Sequence, residues 1–296
     1  MPFSEEQVAG WVSPDELKFV RKMHTGGRSG GEGYRYQDHY AVFRMIAATP
    51  AYLESGRDLG AWLEDFAPVD DVVLEVSETE REYCQLKTGT AVTWTADEGR
   101  LRRQFELQRK ICEACPDIDG YTLRVVTPRA DRHTSLQENL PQSLEGCTQV
   151  DLFPLVSALW DTGSPAFDSL VELCAFDSES PATREAIATF FYSQVVNCGA
   201  GEVSRVSDVV TRIREHPSIY LRHDAAEPPA EWARAAGLLG AVSGLKLVVE
   251  RGFCHYSCGP FRGLVARCDT VSFARFVERV LEAPPTSYAE FSRLLP

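Results

Sequence analysis

Asp70-Asp71-Val72-Val73-Leu74-Glu75-Val76 and, beyond Ser77-Glu78-Thr79-Glu80, the run Arg81-Glu82-Tyr83-Cys84-Gln85-Leu86-Lys87 decide how this chain is read. Short runs rich in β-branched and aromatic residues predict strands over 71–76 and 81–87, and so short a polar link predicts an antiparallel hairpin. Alternation along the second strand puts Gln85 and Lys87 on one face and Cys84 and Leu86 on the other. A lysine in so apolar a segment needs an anionic partner or a route to solvent. Asp70 and Asp71, at the start of the paired strand, can supply the partner. Which of them faces Lys87 depends on the turn. With a four-residue loop, 77–80, Val76 opposes Arg81 and the ladder sets Asp70 against Lys87. A loop one residue longer or shorter brings Asp71 to that face, and the sequence leaves the choice open.

Working outward, residues 14–23 predict a short helix with Ser13 as N-cap, Pro14 at the first helical position and Glu16 at the third. Residues 26–33, five of them glycine, predict irregular chain. A helix is expected over 34–48, with Tyr36, Tyr40, Phe43 and Ala47 on one stripe and Pro50 as its stop. After the hairpin come a long helix near 97–115 and a third strand, 121–126. This order is that of an α/β core with its site grouped near strand ends. Beyond about 133 the patterns are mostly helical: 151–160, 182–197, 203–214, 231–250, 270–282 and 287–294, with 245–250 open to a strand reading. The expected division is therefore an α/β domain over 1–145 and a mostly helical domain over 146–296.

Composition narrows the function classes. A net charge of −13 over 296 residues argues against a protein coated in nucleic acid. It leaves room for a local basic strip, which is all that phosphate contact needs. Two strips qualify: Lys18, Arg21, Lys22 and Arg28, then Arg100, Arg102, Arg103, Arg109 and Lys110. No apolar run approaches the roughly 20 residues of a membrane span, and the first residues lack signal-peptide character. The expectation is a cytoplasmic protein with no membrane partner. The nine cysteines resemble no disulfide framework. Cys112, Cys115, Cys254, His255, Cys258 and Cys268 have the residue types of a zinc site, but core or surface thiols is the preferred reading. The glycine-rich segment lacks the Gly-Lys-Ser/Thr ending of a phosphate-cradling loop.

The hairpin carries the chemistry. Phosphodiester hydrolysis wants oxygen ligands for a Mg²⁺ ion beside the scissile phosphate and a cation near the attacking water. An aspartate, the Gln85 carboxamide, the Leu86 carbonyl and Lys87 make up such a set. The bland alternative is an edge strand whose lysine reaches solvent along its own stem.

Gly30-Gly31-Glu32-Gly33-Tyr34-Arg35-Tyr36-Gln37-Asp38, then Asp70-Asp71-Val72-Val73, then Tyr83-Cys84-Gln85-Leu86-Lys87-Thr88 resembles the double-stranded-DNA endonuclease domain of bacterial anti-phage effectors. That domain occurs in CBASS effectors and Lamassu nuclease subunits and is related to Mrr-type restriction enzymes. The likeness spans roughly residues 24–130. It implies a restriction-endonuclease-like, PD-(D/E)XK core that cleaves duplex DNA with Mg²⁺ or Mn²⁺. Carried over by position, Asp71 ligates the metal, with Asp70 and Gln85 as further ligands. Lys87 is then the catalytic lysine, and Gln37 on the first long helix helps hold metal or water. Gln85 departs from the glutamate commoner at its position, and a neutral amide is a poorer ligand for a hard cation. Arg28, Arg35, Arg102 and Arg103 are the candidate DNA contacts. The resemblance also implies a second half that docks a partner subunit, such as an ATPase or sensor, with activation through that partner or through homo-oligomerisation. The competing expectation is a degenerate nuclease fold that binds DNA or a partner without cutting.

Overall fold

Ser13 and Glu16 start the first long helix as the sequence predicts. The Ser13 N–H donates to Glu16 at 2.7 Å and the Glu16 N–H donates to Ser13 Oγ at 3.4 Å, a reciprocal cap. The computed structural model describes residues 3–26, 31–174, 180–198, 202–216, 221, 227–250 and 252–296. It divides the chain into two units, 1–219 and 220–296. Among the described residues no helix is long and apolar enough to cross a membrane.

The first unit opens with α1 (Glu5–Trp11) and α2 (Pro14–Gly26), followed by α3 (Gly31–Ser55). Two expectations give way here. Gly31 and Gly33 are helical, and the helix continues through Pro50 to Ser55. Pro50 removes one backbone hydrogen bond, a loss a 25-residue helix with buried Val42, Met45 and Ile46 tolerates. Residues 27–30, including Arg28, lie outside the described residues.

Then follow β1 (Gly60–Leu63), β2 (Val72–Glu75), β3 (Glu80–Leu86), α4 (Ala96–Ala114), β4 (Gly120–Thr127), α5 (Ala130–Glu138) and β5 (Thr148–Leu152). The unit ends with α6 (Phe167–Leu173), α7 (Pro181–Asn197), β6 (Ser204–Arg205) and α8 (Val206–Glu215). The six strands form one mixed sheet in the order β5-β4-β3-β2-β1-β6. β2 and β3 are the antiparallel hairpin, while β3, β4 and β5 run parallel, joined by the helical crossovers α4 and α5.

The expected boundary at 145 does not stand. Residues 148–152 are a strand rather than the start of a helix at 151, and they pair in parallel with 123–127 of β4. α7 and α8 pack on α3. Burying the open edge of β4 outweighs local helical patterning, so the division falls at 219/220.

The sheet is covered on both faces. On one, Val73, Tyr83, Leu123 and Val125 join Phe105, Leu107 and Ile111 of α4, Val8 of α1 and Val20 of α2. The other carries a charged network against α3. Glu82 pairs with Arg44 at 2.7 Å and Arg124 at 2.8 Å, and Arg124 reaches Asp151 at 3.0 Å. Burial opposes ionisation of Glu82, but Arg124 and Arg44 hold its carboxyl below the usual range.

The second unit corrects the expectation of a mostly helical C-terminal domain. Between α9 (Trp232–Leu239) and α10 (Val271–Glu282) lies a three-stranded meander: β7 (Leu245–Glu250), β8 (Phe253–Cys258) and β9 (Phe261–Arg267). α11 (Tyr288–Leu294) follows. The link between Cys258 and Phe261 is Gly259-Pro260, and Gly259 has φ 58°, the positive φ a two-residue hairpin turn demands at that position. Leu239, Cys254, Val265, Phe273, Phe276 and Phe291 are among the residues of this unit's own core.

Removing Glu82 leaves two guanidiniums without their shared acceptor. Glu82→Ala should lower unfolding free energy by about 3 kcal/mol. Arg102→Ala, breaking only an exposed pair with Glu106, should change it by about 0.5 kcal/mol or less. Urea denaturation of both variants checks the contrast, and equal small losses would show the network to be slack.

Candidate active site

The hairpin register places the first carboxylate. Glu75 pairs with Arg81 and Val72 with Cys84, so the turn spans 76–80, one residue longer than the simplest reading. Val76 N–H and Ser77 N–H both donate to Glu80 O, at 3.0 and 3.3 Å, and close it. One further step along this ladder sets Asp71, not Asp70, opposite Gln85. Lys87 follows β3, its N–H donating to Val126 O at 2.9 Å, which extends the parallel ladder and the alternation of faces by one residue.

Asp70, Asp71, Gln85, Lys87 and Gln37 line one cavity of about 180 Å³ at this end of the sheet. The Leu86 N–H donates to Asp71 Oδ2 at 2.6 Å, and Gln85 Nε2 donates to the same oxygen. Gln85 is held in turn by α4. Gln104 Nε2 donates to Pro68 O at 3.1 Å and to Gln85 Oε1 at 3.3 Å. One turn on, Gln108 Oε1 accepts from the Val69 N–H at 3.2 Å. Gln104 must present its NH₂ to the Pro68 carbonyl, so it also requires Gln85 to present its oxygen to α4 and its NH₂ to Asp71. Gln85 therefore positions the aspartate in this structure. Its oxygen is turned from the direction the sequence reading assigned to it as a ligand.

Three of the four candidate DNA contacts can be placed, and none lines this cavity. Arg35 Nη2 donates to Ser157 O at 2.9 Å, Arg102 pairs with Glu106 at 2.9 Å, and Arg103 lies over the Phe19 ring at 4.4 Å. Arg28 is the one outside the described residues. Met23, His24, Glu64 and Arg100 complete the wall; the sequence reading missed Met23 and Glu64 and had Arg100 only as one member of the basic strip. Glu64 has φ 58°, alone among the described non-glycine residues in the left-handed region, a conformation that costs about 1 kcal/mol or more. The overlooked signal was Gln104 and Gln108, four residues apart on the stripe that also carries Arg100. Amides on an inward face must find partners.

No family model, curated protein or solved structure matches the chain.

The electrostatics of the cavity are those of two crowded carboxyls. Burial raises the Asp71 pKa, against the pull of Lys87, the Leu86 N–H and the amides of Gln85 and Gln37. Burial and the Asp71 charge push Asp70 well above the ordinary carboxylate value, again opposed by Lys87. Gln37 Oε1 is buried without a hydrogen-bond partner. Among the described residues no group of three or more His, Cys, Asp or Glu side chains comes together as a metal cage. Mg²⁺, however, is commonly held by one or two carboxylates with water and substrate phosphate completing its shell. Two carboxyls short of positive charge and an unpartnered carboxamide oxygen fit that donor set; the Gln85 oxygen does not belong to it.

The raised pKa of Asp70 has a stability consequence. Its proton is held more tightly in the fold than in the unfolded chain, so the contribution present at low pH is lost as pH rises through the folded value. Asp70→Asn should therefore melt higher than the parent at pH 8, with the gap closing as pH falls toward 4. A gap independent of pH would show that Asp70 is not crowded in this way.

Proposed function

We propose that this chain is a metal-dependent double-stranded-DNA endonuclease with a restriction-endonuclease-like, PD-(D/E)XK core. The observation that carries the reading is the convergence of Asp70, Asp71, Gln37 and Lys87 on one cavity at the end of the β2–β3 hairpin. A bound Mg²⁺ or Mn²⁺ would neutralise phosphate charge and make water a competent nucleophile near neutral pH. Asp71, fixed through Oδ2 by the Leu86 N–H and Gln85, would hold that ion together with Asp70, and Gln37 on the wall of the same cavity would help hold the ion or its water. Lys87 places an ammonium beside the same carboxyls and so next to the phosphate and the attacking water. Gln85 and Gln104 keep Asp71 from rotating away.

The resemblance of the three motif segments extends this proposal to a role in anti-phage defence. Uncontrolled cutting of host DNA would be lethal, so activation would come through a partner subunit, such as an ATPase or sensor, or through oligomerisation. A second reading has its own support: Gln85 turns its NH₂ rather than its oxygen to Asp71, and the chain is strongly acidic. On that reading the fold binds duplex DNA or a partner without cutting.

Plasmid cleavage with Mg²⁺ or Mn²⁺, with and without the proteins encoded beside this one, separates the two. Lys87→Ala should reduce cleavage by about 10³-fold or more while the chain still folds, as circular dichroism would show. Undiminished cutting by that variant would overturn the role of Lys87. Duplex binding indifferent to EDTA, with no cleavage in any condition, would establish the scaffold reading instead.

A further inference from the structure

Arg100, Gln104 and Gln108 recur at four-residue spacing, so they share one stripe of α4. The two glutamines are spent on Gln85, Pro68 and Val69. Arg100 stands one turn closer to the helix start, on the wall of the Asp71 cavity. A second cavity of about 330 Å³ shares Met23, Lys87 and Arg100 with the first, and its remaining walls include Ala91, Val92 and Leu101. On the other side a third, of about 300 Å³, shares Gln37 and Glu64 and adds Asp38 and Glu202. Cations thus line the cavity beside α4, and carboxylates line the one walled by Asp38, Glu64 and Glu202. A polyanion anchored at Asp71 and Lys87 has one favourable direction in which to continue.

The basic strip on α4 also sorts itself by partner. Arg102 is paired with Glu106, Arg109 with Glu113 and Lys110 with Glu16, and Arg103 lies over Phe19. The Arg100 guanidinium instead donates from Nη2 and Nε to the thioether of Met23, at 2.9 and 3.2 Å. Sulfur is a weak acceptor, and a phosphate offering two charge-assisted hydrogen bonds displaces it easily.

Resting on the hydrolytic reading above, we propose that Arg100 binds the DNA phosphate adjoining the scissile one. The backbone then leaves the site through the cavity between Met23 and Val92, and Arg102 and Arg103 take no part.

The test is binding of a short DNA duplex by the full chain in Ca²⁺, across about 50–200 mM salt, alongside cleavage kinetics. Arg100→Gln, which keeps most of the side-chain stem, should weaken binding about tenfold and reduce the slope of log K against log salt by about 1. It should raise KM with kcat within about twofold. Arg100→Lys should restore the slope, and Arg102→Ala and Arg103→Ala should match the parent. If the parent cuts DNA and Arg100→Gln keeps its slope and KM, this inference fails and the nuclease reading survives. It fails equally if Arg102→Ala or Arg103→Ala shows the same loss. If the parent neither binds nor cuts duplex DNA under any condition, the hydrolytic reading fails and Arg100 goes with it.

Discussion

A five-residue turn, 76–80, sets the register of β2 against β3, and the rest of the candidate site depends on that register. Side chains on a strand alternate with period two, so a slip of one residue would move Asp71 to the face that holds Cys84 and Leu86. With the turn as it is, the Asp71 carboxylate meets the Leu86 N–H and the Gln85 amide together. Val76 and Ser77 both donate to the Glu80 carbonyl, which gives the longer turn a specific closure.

α4 then acts on what the register has placed. Its inward face is apolar at Leu101, Phe105 and Ile111, and polar along the stripe of Gln104 and Gln108. Both amides are almost wholly removed from solvent, with Gln104 at 2% and Gln108 at 0% exposure. Each is therefore obliged to find a partner, and the partners lie on the segment leading into Asp70 and Asp71. The same obligation runs on through Gln85, so the orientation of one amide on a helix decides which atom of another faces the carboxylate.

This arrangement stores unfavourable free energy at one end of the sheet. Two neighbouring carboxyls are held where burial disfavours their charge, and Glu64 sits in a left-handed backbone conformation beside them. Elsewhere, on the α3 face, charges meet partners. There Glu82 and Asp151 share Arg44 and Arg124 in a closed network. Like charges are thus crowded at one end of the sheet and paired with guanidiniums on its α3 face.

The chain of residues was enough to specify the hairpin, the common face of Gln85 and Lys87, the Ser13 cap and the long helix α4, because each depends on local periodicity or on neighbours a few residues apart. It was not enough for β5 or for the meander of the second unit. There, short apolar runs fit helix and strand alike until a neighbouring strand offers its open edge. It also could not separate Arg100 from Arg102 and Arg103, since helical spacing shows which residues share a stripe but not what lies across from it. Between Asp70 and Asp71 the length of the 76–80 turn decided, a local feature the sequence left open because four- and five-residue links both fit it. Tertiary packing decided the orientation of the Gln85 amide and the placing of Arg100 at the cleft. Both are settled by partners on elements far apart in sequence, which leave no local signature.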